Sequence, residues 1–285
     1  MYRTFSRRLF CCAAVALFAT ACSRDPKPGT PEATAAGERV MRSMSDALAR
    51  SKAFAFETSE ALDVIGAGGE KRTLHFTRKV TVRRPSALFF EIHGTGDAAL
   101  DIGVRYDGRT VAASSAAGRV WAQTDVPGTL DEFRDDVARR FGLPVPIADV
   151  VYSSPYDAFI GRTTRGGFVA RETIDSVPCV TLDYEDAFVG VRLWIPASGQ
   201  PLPRRLELVY KQAPGLPMSK IDFTSWSLDV PVTDATFAFQ PPEGYRQLEV
   251  RDFVAGLRSG TMPSGREAAA PAASGAQRAG EAGAR

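Results

Sequence analysis

The stretch that decides the fold is FAFETSEALDVIGAGGEKRTLHFTRKVTVRRP, residues 54–85. Phe54, Phe56, Leu62 and Val64 alternate with Glu57, Ser59 and Asp63. After the glycines at 66, 68 and 69, Leu74, Phe76, Val80 and Val82 alternate with Thr73, His75, Thr77, Lys79 and Thr81. A period of two places one residue set on each side of a pleated strand, so this is a long antiparallel hairpin with one apolar and one polar face. Arg83-Arg84-Pro85 ends it.

Working outward, the pattern continues as short strands. Leu88, Phe90 and Ile92 start the next one, and Tyr106-Asp107-Gly108-Arg109 and Ala117-Gly118 are turns at meander spacing. Later strands are Phe168–Ala170, Val180–Tyr184, Val189–Ile195 with Arg192 and Trp194 on the opposite face, and Leu206–Tyr210. Ile221, Phe223 and Ser225 share a face with Trp226 opposite, and Phe237-Ala238-Phe239 closes the run before Pro241-Pro242. Before the hairpin, Val40, Met41, Met44, Ala47 and Leu48 recur at helical spacing, which predicts a helix over 37–52. In the middle, Thr129 stands three residues before Glu132 and ahead of Phe133, Val137 and Phe141. This is a capped helix stopped by Gly142 and Pro144, with two shorter helices opening at Pro146 and Pro155. The insert interrupts the sheet and is the natural lid or plug. A last short helix falls within Leu248–Leu257.

The first 21 residues read as an export signal. Arg3, Arg7 and Arg8 precede an uncharged apolar run, Leu9–Ala21, too short to span a bilayer. Cys22 follows directly after Phe18-Ala19-Thr20-Ala21, the pattern of a bacterial lipoprotein signal, and lipidation is assigned to Cys22. Ser6-Arg7-Arg8-Leu9-Phe10 fits either a twin-arginine signal or an ordinary basic start. Resemblance to the lipoprotein class also implies sorting to the outer membrane, because Ser23 and not Asp follows the lipidated cysteine. The expected organisation is a signal over 1–21, a Pro-containing tether over 22–36, one domain over 37–257 and a disordered Ala/Gly/Pro/Ser tail over 258–285. The formal charge of +2 becomes −1 when the three signal arginines are lost, a balance that argues against nucleic acid. Of four cysteines, two lie in the signal and one at the lipidation site, so Cys179 has no intramolecular disulfide partner and reads as a small buried hydrophobe.

An ordered set of segments resembles a family of predicted periplasmic proteins, domain of unknown function 2092. It comprises Val82-Arg83-Arg84-Pro85, Tyr106-Asp107-Gly108, Thr129-Leu130-Asp131-Glu132, Pro155-Tyr156, Pro178-Cys179, Leu193-Trp194-Ile195, Pro201–Arg205, Tyr210-Lys211 and Phe237 to Pro242. The chain departs from that pattern at Thr181, where a His is expected, and at Val191, where a Trp is expected. The element order of helix, meander, helical insert and meander is also similar to the LolA/LolB type of lipoprotein carrier and receptor. That likeness implies a mainly β (α+β) fold: an open curved antiparallel half-barrel with helices covering the concave face.

No Gly-x-Ser-x-Gly, Cys-x-x-Cys, His-x-x-x-His or phosphate-cradling loop is present in the sequence, and the two histidines, His75 and His93, stand apart. The expectation is therefore not an enzyme, with no cofactor and no metal. Asp131, Glu132, Asp135 and Asp136 read as charge at a helix N-terminus. The aromatic and aliphatic faces carry more: Phe54, Phe56, Phe76, Leu88, Phe90, Leu130, Phe133, Trp194, Tyr210 and Phe223 are the candidates to line a concave ligand site. A long one-sided sheet is only partly covered by short helices, and uncovered apolar surface binds something. Two readings follow. One is a lipid-anchored envelope protein that holds a hydrophobic or acyl ligand in the half-barrel. The other is a periplasmic protein–protein interaction module with no small ligand, its protein partner unspecified.

Overall fold

The computed structural model describes residues 24–66, 68–95, 100–142, 148–259 and 262. The signal, Cys22, the segment around Pro144 and Pro146 and most of the C-terminal tail lie outside them.

Twelve strands form one curved, open sheet in the order β12-β6-β5-β4-β3-β2-β1-β11-β10-β9-β8-β7. The central hairpin is β1 (Ala53–Ile65) and β2 (Lys71–Arg83), paired from Ala53↔Arg83 to Ile65↔Lys71. On one side follow β3 (Ala87–Thr95), β4 (Asp101–Tyr106), β5 (Thr110–Ser115) and β6 (Val120–Asp125). On the other lie β11 (Met218–Leu228), β10 (Arg205–Tyr210), β9 (Val189–Pro196), β8 (Val177–Glu185) and β7 (Arg165–Ile174). All pairings are antiparallel except that of the two-residue β12 (Arg246–Gln247) with β6.

Helix α1 (Pro31–Arg50) begins six residues earlier than its apolar stripe predicts, so the last six residues of the expected tether, 31–36, are helical. The local reason is legible: the Thr30 side chain accepts from Ala33 N, Pro31 has its φ preset for the first turn, and Glu32 meets the positive helix end. The stripe of Met41, Met44, Ala47 and Leu48 is buried on the inner face of the sheet. Where α1 crosses β7 the backbones nearly touch; a Cβ on Gly37 would lie 2.6 Å from Gly167 Cα. The insert contributes α2 (Leu130–Phe141), a 3₁₀ turn (Ala148–Val150) and α3 (Pro155–Ile160). Ser45 Oγ accepts from Tyr156 N at 3.1 Å, and the Arg42 guanidinium lies 3.9 Å above the Tyr156 ring, so α3 is tied to α1.

Two sequence expectations need correction. Trp226 does not oppose Phe223. A bulge in β11 opposite Glu57/Thr58 shifts the register by one residue, and the two rings stack at 5.1 Å on the inner face. Phe237 is not in a strand. Asp234–Phe237 is a helical turn, α4, which buries Phe237 beneath the Arg83 guanidinium while Arg83 pairs with Asp234 at 2.7 Å. The final helix, α5, spans Val250–Ser259.

Phe54, Phe56, Phe223 and Trp226 form one aromatic cluster, with Phe56–Trp226 centroids 4.8 Å apart and Phe56–Phe223 centroids 5.6 Å apart. Phe56 is 1% exposed. Phe56→Ala is expected to cost about 3–5 kcal/mol of unfolding free energy, measured by chemical denaturation.

Candidate functional site

The strand register sets cross-sheet rows on the inner face. One row runs Trp226, Phe56, Val80, Phe90, Val104, Ala113, Ala122 from β11 to β6. Its side chains shrink toward β6, and that loss of bulk opens a hollow. A cavity of about 320 Å³ lies there, floored by β2–β6 and roofed by α2 and α5. Its walls are almost entirely aliphatic and aromatic, with Val80, Leu88, Phe90 and Val104 on the floor and Leu130 and Phe133 in the roof.

Helix α2 is held over the cavity by its own N-terminus. Thr129 Oγ1 accepts from Glu132 N at 3.3 Å and the Glu132 carboxylate accepts from Thr129 N at 2.7 Å, a reciprocal capping box. Leu130 N donates to Pro85 O at 2.8 Å, fixing the helix to the end of the central hairpin. Phe133 then stacks on Tyr106 with centroids 4.2 Å apart, and the Tyr106 hydroxyl donates to Gly128 O at 2.6 Å. Burial, with Asp107 and Glu132 nearby, pushes that hydroxyl up to about 12. The helix stops at Gly142, which is left-handed (φ 55).

Helix α5 presents Val250, Phe253, Val254 and Leu257 at positions i, i+3, i+4 and i+7, a single apolar stripe that faces the cavity. Phe253 packs on Val120 and Ala122. Arg258 donates to Phe141 O, joining the two roof helices. At the rim, Arg134 and Tyr152 meet. Tyr152 donates to Asp135 at 2.7 Å, and burial with that bond pushes its hydroxyl up to about 12.

The ten candidates fall in four places. Leu88, Phe90, Leu130 and Phe133 come together in the cavity wall. Phe54, Phe56 and Phe223 belong to the dry cluster beside it under α1, with Tyr210 half-buried at the margin of the same core. Phe76 is buried on the inner face beside the Arg78 guanidinium, 5.8 Å from its ring centre. Trp194 is a correction. Leu193 and Ile195 point into the core, so Trp194 faces outward, where its indole N–H donates to Glu172 and the guanidiniums of Arg192 and Arg205 flank it at 5.9 Å. The alternation of Arg192 and Trp194 against Leu193 and Ile195 already carried that answer.

The sequence reading missed three parts of the site. The α5 stripe is a plain helical signal that had been given no role. The small residues Ala113 and Ala122 signal a hollow only once they are placed in register with Phe90. The third is a pair of charges, Glu60 and Arg78, 2% and 6% exposed, at inward positions of the central hairpin. Arg78 Nη2 donates to Glu60 Oε2 at 3.1 Å, Nε lies 3.0 Å from Oε1, and Thr58 donates to Oε1 at 2.6 Å. Among the described residues no group of His, Cys, Asp and Glu is placed to hold a metal ion, and no helix is long and apolar enough to cross a membrane.

With this geometry in view, the chain belongs to the family described as "Predicted periplasmic protein (DUF2092)", whose profile matches residues 37–251. No curated protein matches it. Among solved structures, the Mycobacterium tuberculosis lipoprotein LppX is similar at 13% identity and a TM-score of 0.42, over 70% of this chain and 98% of that one. A LolA superfamily protein from Nitrosomonas europaea is similar at 11% identity and a TM-score of 0.35, over 72% and 98%. The Pseudomonas aeruginosa MucA/MucB complex gives 16% identity and a TM-score of 0.38, over 71% and 61%.

Three roof carboxylates are held below their ordinary values in the folded protein. Glu132 is lowered chiefly by the bond from Thr129 N, Asp135 by Tyr152 and Asp136 by Arg140. Each contributes stability that is complete above its ordinary value (4.5 for Glu132, 3.8 for the aspartates) and is lost as pH falls through the lowered folded value. Thr129→Ala is therefore expected to cost about 1 kcal/mol at neutral pH. That cost should shrink as the solution is acidified below these values, as read by denaturant midpoints across a pH series.

Proposed function

We propose that the protein is a lipid-anchored envelope protein, not an enzyme, that holds a hydrophobic or acyl chain in the cavity between β2–β6 and the α2/α5 roof. The observation that carries this reading is the cavity itself: almost entirely apolar, walled by four of the ten candidate residues, and left unfilled between the sheet and the α2/α5 roof. Its volume of about 320 Å³ lies within the range of pockets that take small apolar ligands and suits a hydrocarbon chain. Each methylene moved from water into it contributes about 0.8 kcal/mol. In this reading Cys22 carries the lipid that ties the domain to the outer membrane, and the chain enters beneath α5, the roof element nearest the sheet edge.

Binding is tested with the purified protein and the fluorescent apolar probe N-phenyl-1-naphthylamine, displaced by saturated acyl glycerols of increasing length. Affinity should rise roughly fourfold per methylene and level off once the chain fills the cavity. Ala113→Phe, which fills the hollow from the floor, should weaken probe binding by at least about tenfold, a loss of about two methylenes' burial, without loss of fold. Absence of probe binding, or binding that Ala113→Phe leaves unchanged, refutes the reading. Separately, mass spectrometry of the mature protein should show an acylated Cys22, and Cys22→Ser should release the protein from the membrane fraction.

A further inference from the structure

The buried part of the inward face of the central hairpin is apolar except at Thr58, Glu60 and Arg78; Arg72, on the same face opposite Val64, is exposed near the hairpin's tip. Removing two charges from water costs several kcal/mol each, and well-packed apolar side chains of similar size usually serve stability as well or better. A buried pair in this position therefore calls for a role beyond holding the sheet. Its location supplies one. Arg78 is part of the cavity wall, in the row Thr58, Arg78, Ile92, Ile102, and its guanidinium lies 5.8 Å and 5.9 Å from the Phe76 and Phe90 ring centres.

A guanidinium carries five N–H donors. Glu60 takes the bond from Nη2 and faces Nε, but the buried Nε makes no well-aligned hydrogen bond. The charge of Arg78 is thus balanced while its donor capacity is not exhausted. That combination is selective. A second carboxylate brought to Arg78 would also meet Glu60 and be repelled, and a cationic head would meet the Arg78 charge. An uncharged acceptor is favoured by the donors and opposed by neither.

Building on the acyl-chain reading above, we infer that Arg78, balanced by Glu60, is the polar seat of the cavity and selects ligands whose chain ends in an uncharged carbonyl, an acyl ester or amide, over free fatty acids and cationic amphiphiles. Arg78 fixes the carbonyl end while Phe90, Val104 and the roof hold the chain. Glu60 is a positioning residue: it orients the guanidinium and cancels its charge.

The test displaces N-phenyl-1-naphthylamine with three twelve-carbon amphiphiles below their micelle concentrations: glyceryl monolaurate, sodium laurate and dodecyltrimethylammonium. The wild-type protein should prefer the monolaurate by about tenfold over each of the others, the factor supplied by one hydrogen bond to a charged donor. In the double variant Glu60→Met/Arg78→Met, which removes both charges together, that preference should vanish while the naphthylamine, whose affinity is measured on the same variant as the reference, still binds. Glu60→Gln alone should raise laurate affinity, because the repelling charge is gone while the donors stay. A wild-type protein without ester preference, or a double variant that keeps it, overturns this inference and leaves the cavity reading standing. A wild-type protein that binds neither the naphthylamine nor any amphiphile overturns both. If the double variant fails to fold, the wild-type selectivity and the Glu60→Gln shift still decide the matter.

Discussion

Everything inside this molecule depends on the register of β1 against β2. Because side chains alternate with a period of two, sliding β1 by a single residue would turn Phe54 and Phe56 out to water and Glu57 into the interior, and sliding β2 would do the same to Val80 and Val82 with Lys79 and Thr81. Those apolar residues anchor the cross-sheet rows that continue through β3 to β6 on one side and β11 to β8 on the other. The hairpin therefore fixes which atoms every later strand presents to the helices. The bulge in β11 shows how strictly the requirement is met: the extra residue there returns Trp226 to the same side as Phe223, where both rings are needed.

The inner face is divided by side-chain size. Under α1, large rings and methionines form one buried cluster. Toward β6 the rows taper to alanine, and α2 and α5 span the sheet without filling the gap. The two halves differ in how they are roofed. Helix α1 is in backbone contact with β7 through paired glycines. The α2/α5 roof is held by side chains and loop contacts: the capping box and Leu130 N–Pro85 O at the start of α2, the Phe133–Tyr106 stack, Asp131 with Ser153, Phe253 on Val120 and Ala122, and the Arg258 bond between helices. The half under α1 is the filled core and the half under α2 and α5 encloses the cavity.

Much of this was legible in the residues. The hairpin, the meander spacing and the capping box at Thr129 follow from local rules that tertiary contacts reinforce. Four cavity residues, Leu88, Phe90, Leu130 and Phe133, were found because inward strand positions and a helix's buried stripe can be read by period alone. Period does not say which part of an inward face will be filled, so Phe54, Phe56 and Phe223 were grouped with them although they belong to the solid core. Trp194 was misplaced because aromatic character was weighed above its own alternation. The hollow at Ala113 depends on partners distant in sequence, and no local pattern announces it. Glu60 and Arg78 hold inward positions of the hairpin's own alternation, and were passed over because the apolar residues around them were the ones followed. The helical turn at Phe237 was mistaken for a strand because Phe237 and Phe239 stand two apart, the strand period, whereas the turn ends at Phe237 and Ala238 beyond it is extended.

The seam between β1 and β11 has a kinetic consequence. Phe54 lies beside Leu228, so the two strands at the middle of the sheet come from opposite ends of the domain. From β1 to β6, each strand pairs with its successor and the loops to be closed are short. The β1–β11 joint must wait until residue 228 is available, and the entropy of closing so long a loop is lost before any contact rewards it. This joint is thus the slow, cooperative event in assembly. Until it forms, β1 offers an unpaired edge, the kind of surface on which partially folded chains add to one another.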